Sequence, residues 1–194
     1  MSNKSESREM VPDIQDIANQ IAAVQQDVAL LTSGLSDTQL NWRPDPSEWS
    51  IAQCLDHLVK AAIADMETVS KSAQDARNRN LLSDGPFEYG AISKWFVNSV
   101  EPPPKQKAKA KAIFQPAQSF KGDQIILKFQ DTQDCVIQAY KKVAGVDLAK
   151  AKAPAPVGPF KLPLGQKMRL TAAHARRHVY QARQVTKSPN FPKA

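Results

Sequence analysis

Only three histidines occur in the 194 residues, and two of them, His174 and His178, stand four apart. On a helix that spacing puts both imidazoles on one face, close enough to share one ion. The stripe they occupy reads Leu170, His174, His178, Gln181, Val185, and its apolar ends turn the histidine face toward a core. An uncharged imidazole facing inward needs a partner for its nitrogens, and a metal is one such partner. His57 falls one residue before Leu58, at the edge of a second apolar stripe, and can look into the same interior. Three neutral imidazoles from two facing helices make an open site for one divalent ion, Zn²⁺, Ni²⁺ or similar. A fourth position is then left for water or substrate, whose acidity the metal raises. A second reading stands beside this one: a helical His pair as ordinary polar side chains, with His57 bonded to a backbone group or a carboxylate. The absence of a glutamate in HExxH form argues against a zincin protease.

Several neighbouring residues carry more than one reading. Cys54, three residues before His57, either lines the pocket, binds metal as a thiolate, or is a buried structural cysteine. Trp42 and Trp49 flank Arg43-Pro44 and pack the loop against the bundle end, or line the pocket. Asp56 points about 100° away from His57 on an ideal helix and is expected to be a solvent-facing charge rather than a catalytic base. Gln181, one turn beyond His178, is placed to steady that imidazole or a bound water. Arg177 is either an anion-binding group or a surface arginine, and Cys135 is read as an ordinary helical residue.

Four segments have the periodicity to position these groups. The first starts at Pro12, whose missing N–H is harmless in a first turn, and repeats Ile14, Ile17, Ile21, Val24, Val28, Leu31. The second opens with Ser50 and Gln53 at capping-box spacing and runs Ile51, Leu55, Leu58, Ala62, Met66, Val69. The third, Ile125 to Val143, follows Gly122-Asp123, expected to cap it, and stops before Gly145. The fourth spans about Gln166 to Lys187, with Pro189 beyond its end. Between the second and third lies a connector of roughly fifty residues, long by loop statistics. It includes a candidate short helix in Phe87 to Val100. It is long enough to cross a bundle and let the two helices run parallel. No strand pattern competes, and no internal repeat is present.

Composition excludes several classes. Two cysteines build no disulfide framework, so a reducing, cytoplasmic setting is expected. The polar start MSNKSESREM has no apolar h-region, its first ten residues read as a flexible tail, and no stretch reaches the ~18 apolar residues of a membrane span. The net charge of +7, from 26 basic and 19 acidic side chains, raises the question of nucleic acid. Much of it lies in two Lys/Pro/Ala stretches, Pro102 to Lys111 and Leu148 to Lys161, without the interleaved aromatics of a stacking platform. They read as solvated loops, with a phosphate-contacting patch as the alternative.

Leu35 to Val59 (LSDTQLNWRPDPSEWSIAQCLDHLV), followed far downstream by HARRHVYQ at His174 to Gln181, resembles the DinB-like superfamily of metal-binding four-helix bundles. The resemblance rests on the WRP and EWS words, a histidine seven residues after the serine of the second, and the H-x-x-R-H-x-x-Q ending. Ala76 to Gly165 resembles the family only in its long connector and helix. The resemblance implies one all-α domain over residues 1–194, a four-helix bundle in up-down-down-up order with a long crossover between helices two and three. It also implies a divalent ion held by His57, His174 and His178. Relatives include transferases using low-molecular-weight thiols such as bacillithiol, a mycothiol-dependent isomerase and proteins described as metal-dependent hydrolases. A metal-dependent enzyme that activates a thiol or water for a small-molecule substrate is therefore expected. The alternative is a non-catalytic, stress-associated bundle that binds metal or ligand, with a homodimer as one form it could take; no nucleic-acid or membrane partner is expected.

Overall fold

The computed structural model describes residues 11–104 and 110–193. The expected tail at 1–10 and the centre of the Pro102–Lys111 stretch lie outside the described residues. Helix α1 is Pro12–Thr32, with proline in its first turn and Ile14, Ile17, Ile21, Val24 and Val28 buried. Helix α2, Asp37–Asn41, is a single short turn begun by a capping box between Ser36 and Gln39. Helix α3, Ile51–Asn78, starts with the expected Ser50–Gln53 box. Helix α4, Ala91–Asn98, lies in the connector, followed by a 3-10 turn at Ala112–Phe114. Helix α5 is Gly122–Lys141 and helix α6 is Leu164–Thr186.

The chain is mostly helical, with one departure from the all-α expectation. Strands β1 (Lys152–Pro154) and β2 (Lys161–Pro163) pair antiparallel, with Ala153 opposite Leu162. Each strand buries one residue and leaves its lysine exposed, so three residues alternate too briefly to be read as a strand. The stretch from Leu148 to Lys161 thus runs into a hairpin whose exposed lysines, Lys152 and Lys161, stand on its strands, and Leu148 and Ala151 belong to the core.

The start of α5 also differs from expectation. Its N-cap is Lys121 without a side-chain bond, and Gly122 is its first residue. The free Gly122 amide is satisfied from another element, by Asp37 Oδ1 of α2 at 2.9 Å. A Cβ at Gly122 would stand 2.3 Å from Leu40 Cδ1, so glycine is what lets α2 dock there.

The long helices pack with α3 against α5 and α6, and α1 against the same two. Two apolar clusters fill the interior. One gathers Ile14, Ile17 and Ile21 of α1, Val69 and Ala73 of α3, Val136 and Tyr140 of α5, and Leu164 and Met168 of α6. The other gathers Val24 and Val28 of α1, Ile51 and Leu55 of α3, Ile125 and Phe129 of α5, and Val179 and Val185 of α6. Full burial of each large apolar side chain contributes about 1.5–3 kcal/mol, so these clusters hold the long helices in place. Against α6 lies α4, whose Val97 and Phe96 meet Leu162 and Leu170. Glu101, just past α4, pairs with Arg176 of α6 and ties the connector to that helix. No helix among the described residues is long and apolar enough to cross a membrane.

Candidate metal centre

Helices α3 and α6 bring the three histidines together. Their candidate ligand atoms all lie within 4.8 Å of one another, and this is the group among the described residues that could hold a metal ion. His174 Nε2 stands 3.3 Å from His57 Nε2 and 3.1 Å from His178 Nε2. Three nitrogens at tetrahedral positions 2.0–2.1 Å from a zinc ion would be roughly 3.3 Å apart. Two of the three nitrogen spacings therefore match the edges around a single small divalent ion, and the third lies within 4.8 Å.

Hydrogen bonding settles which nitrogens face inward. His57 Nδ1 lies 2.8 Å from the carbonyl oxygen of Phe114, which can only accept, so Nδ1 carries the proton. His178 Nδ1 is likewise paired with Gln181 Oε1 at 2.9 Å. In neutral rings both Nε2 atoms then present lone pairs toward His174, whose own Nε2 can donate one hydrogen to one of them. At least one inward nitrogen is left as an acceptor without a donor, an arrangement that a cation resolves. The outer partners of His57 and His178 are of the kind that fix metal-binding imidazoles.

Electrostatics keep the cluster neutral. Burial pushes His57 below the ordinary histidine range, against the opposing pull of the Phe114 carbonyl and Asp56. Burial, then the neighbouring charges of His178, His57, Lys167 and Arg177, push His174 well below that range. His178 is lowered to about 3, again chiefly by burial and then by His57. Neutral imidazole is the form a metal requires.

The surrounding residues divide. Trp49 lines the cluster, its ring 4.8 Å from His57 and stacked 5.7 Å from His178, whereas Trp42 packs edge-on against Phe191. Gln181 stands beside His178 as its spacing suggested. Cys54 is wholly buried in the apolar cluster and burial pushes its thiol up to about 12, so it is a protonated core residue and lies outside the ligand group. Cys135 is exposed on α5. Arg177 is half-buried, and its charge acts on His174 and His178.

Asp56 does not face solvent. It is 4% exposed, and its carboxylate accepts the Ala117 amide at 3.1 Å and pairs with Lys60 at 2.8 Å. An isolated helix suggests otherwise because it lacks the connector, which covers the face of α3 carrying Gln53, Asp56 and His57 while the bundle core buries the opposite face. Two further features escaped sequence reading. The Phe114 carbonyl is a backbone group and leaves no side-chain signal. Asp65, Tyr140, Lys167 and Thr171 form a buried polar group on α3, α5 and α6; Lys167 and Thr171 precede His174 by seven and three residues, a visible helical spacing.

A helical bundle with three inward imidazoles is a class that the sequence comparison narrows. A sequence model of the DinB superfamily matches residues 20–182. The chain belongs to the DinB superfamily. Comparison with curated proteins found no match, and comparison with solved structures found none either.

Proposed function

We propose that the chain is a metal-dependent enzyme that holds one divalent cation, Zn²⁺ or Ni²⁺, on Nε2 of His57, His174 and His178. It would serve low-molecular-weight-thiol S-transfer or hydrolysis. The observation that carries this reading is the convergence of three Nε2 atoms at 3.1–3.3 Å steps with too few protons to satisfy them. A bound cation of this kind acts as a Lewis acid that lowers the pKa of a coordinated thiol or water near neutral pH. Phe114 and Gln181 hold two of the rings in the required tautomer, and Trp49 offers a flat apolar wall to a substrate. The two apolar clusters support an up-down-down-up helix order, since each joins the starts of one pair of helices to the ends of the other. The proposal takes residues 1–194 as one cytoplasmic domain acting on a small molecule, without nucleic acid or membrane.

One observation favours the second reading, a non-catalytic, stress-associated bundle that binds metal or ligand. The nearby carboxylates of α3 are committed elsewhere, Asp56 to Ala117 and Lys60, and Asp65 to Lys167, Tyr140 and Thr171. Neither is available as a general base in this arrangement.

Metal-loaded protein should be assayed for conjugation of several cellular thiols to a generic electrophile, with His174→Ala as control. Metal-dependent turnover lost in the control supports thiol transfer. Hydrolysis of model esters or amides without thiol moves the assignment to hydrolase, and silence in both assays favours the binding bundle.

A further inference from the structure

Where the connector returns to α3, four side chains on one helical stripe seize its main chain. Gln53 Nε2 donates to the Ala117 carbonyl at 3.0 Å, and the buried carboxylate of Asp56 accepts the Ala117 amide at 3.1 Å. Lys60 Nζ sits 2.8 Å from that carboxylate and donates to the Gln115 carbonyl, also at 2.8 Å. His57 Nδ1 donates to the Phe114 carbonyl. Positions 53, 56, 57 and 60 follow the steps that keep residues on one face of a helix, so one rigid element grips a segment of four residues. The grip begins at the helix cap itself, because the side chain of Gln53 also accepts the Ser50 amide at 3.1 Å.

Beyond these bonds the segment keeps an edge-on contact of the Phe114 ring with His57 and, just upstream, a bond from Lys111 to the Pro156 carbonyl. The turn at Ala112–Phe114 buries no residue fully, lacks a side-chain cap and leaves Ile113 73% exposed. Its position over the histidines therefore comes from polar bonds to α3 and not from a core of its own. One of those bonds ends on the ring nitrogen opposite the inward-facing Nε2 of His57.

We propose that Gln53, Asp56 and Lys60 are positioning residues of the metal centre. They fix the Phe114 carbonyl against His57 Nδ1 and so hold His57 Nε2 aimed at His174. This rests on the reading of the three histidines as ligands. Seating of the connector and metal uptake are then coupled in both directions, because each restrains the same imidazole. Metal bound at Nε2 holds the ring and thereby the connector; the Gln53–Asp56–Lys60 grip holds the connector and thereby the ring.

The test uses full-length protein with Zn²⁺ alone as probe, comparing the parent with Asp56→Ala, Asp56→Asn and Lys60→Met. Two quantities are read: zinc affinity by chelator competition, and tryptic cleavage at Lys111 and Lys121 with and without zinc. Asp56→Ala is expected to bind zinc about 10–100-fold more weakly, the usual effect of losing an outer partner of a metal ligand. It should also be cut faster at Lys111 when metal-free, with zinc restoring part of the protection. Asp56→Asn keeps an acceptor for the Ala117 amide and should fall between. Lys60→Met, at a half-exposed site, should shift both readouts in the same direction by less, and stands in should Asp56→Ala fail to fold. A folded Asp56→Ala protein with the parent's zinc affinity overturns the proposal, as does a stability loss equal with and without metal at unchanged affinity. Parent protein that takes up no zinc brings down the histidine reading itself, and the proposal with it.

Discussion

Two groups of buried polar side chains lie along the facing stripes of α3 and α6, and they differ in whether they complete one another. In the first, the Asp65 carboxylate accepts the hydroxyls of Tyr140 at 2.5 Å and Thr171 at 2.6 Å and pairs with Lys167. Charge balances and the hydrogen bonds close within the group. Tyr140 stays a neutral phenol, because burial and then the Asp65 charge push its ionisation well above the ordinary range. In the second, His57, His174 and His178 present three Nε2 atoms to one point with no acid among them. A polar stripe inside a bundle does not by itself mark a ligand site. An excess of inward acceptors does.

The comparison is broken most sharply by removing Asp65. Asp65→Ala leaves the Lys167 ammonium buried without its partner, which should lower stability by about 3–5 kcal/mol in urea unfolding, whether or not metal is present. If Asp65→Ala instead leaves stability intact and abolishes metal binding, the closed group belongs to the metal site and the distinction fails.

Metal should act on the other group alone. Zinc at a thousand times its dissociation constant should stabilise the parent by about 4 kcal/mol, seen as a rise in the unfolding midpoint. His174→Ala should show no such rise, while Asp65→Ala keeps it.

Acid should separate the two groups next. All three histidines have their folded pKa values below the unfolded value of 6.5, that of His178 at about 3. Below pH 6.5 the unfolded chain binds protons that the folded chain refuses, so stability of the metal-free protein falls as pH drops. His178 alone contributes up to about 1.4 kcal/mol per pH unit through that window. Asp16 and Asp147, whose pKa values are lowered from 3.8, lose their contribution only in stronger acid. Urea titrations at pH 7.5 and 5.5 should therefore differ for the parent and converge when all three histidines are replaced by glutamine.

The smallest effect concerns the thiols. Alkylation of the folded protein near pH 8 should label exposed Cys135 and spare Cys54, whose thiol is buried and raised to about 12. Rapid labelling of Cys54 would show that the packing beneath the histidines is open.

Much of this arrangement is legible from local pattern. The Ser50–Gln53 box, the apolar stripes and the His174–His178 spacing each depend on residues within a turn or two of one another. The elements that escaped depend on distant partners. α2 has its own capping signal at Ser36 and Gln39 but is one turn long, and its role of supplying Asp37 to the start of α5 needs the fold. The hairpin of Lys152–Pro154 and Lys161–Pro163 hides in proline and lysine because only Ala153 and Leu162 point inward. The burial of Asp56 likewise depends on a distant partner: the direction it points on α3 is covered by a connector some sixty residues away in sequence, through Ala117.

Metal analysis of purified protein decides whether one divalent ion is held by His57, His174 and His178. Chains loaded with zinc or nickel and dialysed should retain one ion each in the parent. That ion should be lost in His57→Ala, His174→Ala and His178→Ala alike, with helical content unchanged. Stoichiometric metal bound equally by the parent and by His57→Ala would contradict that assignment.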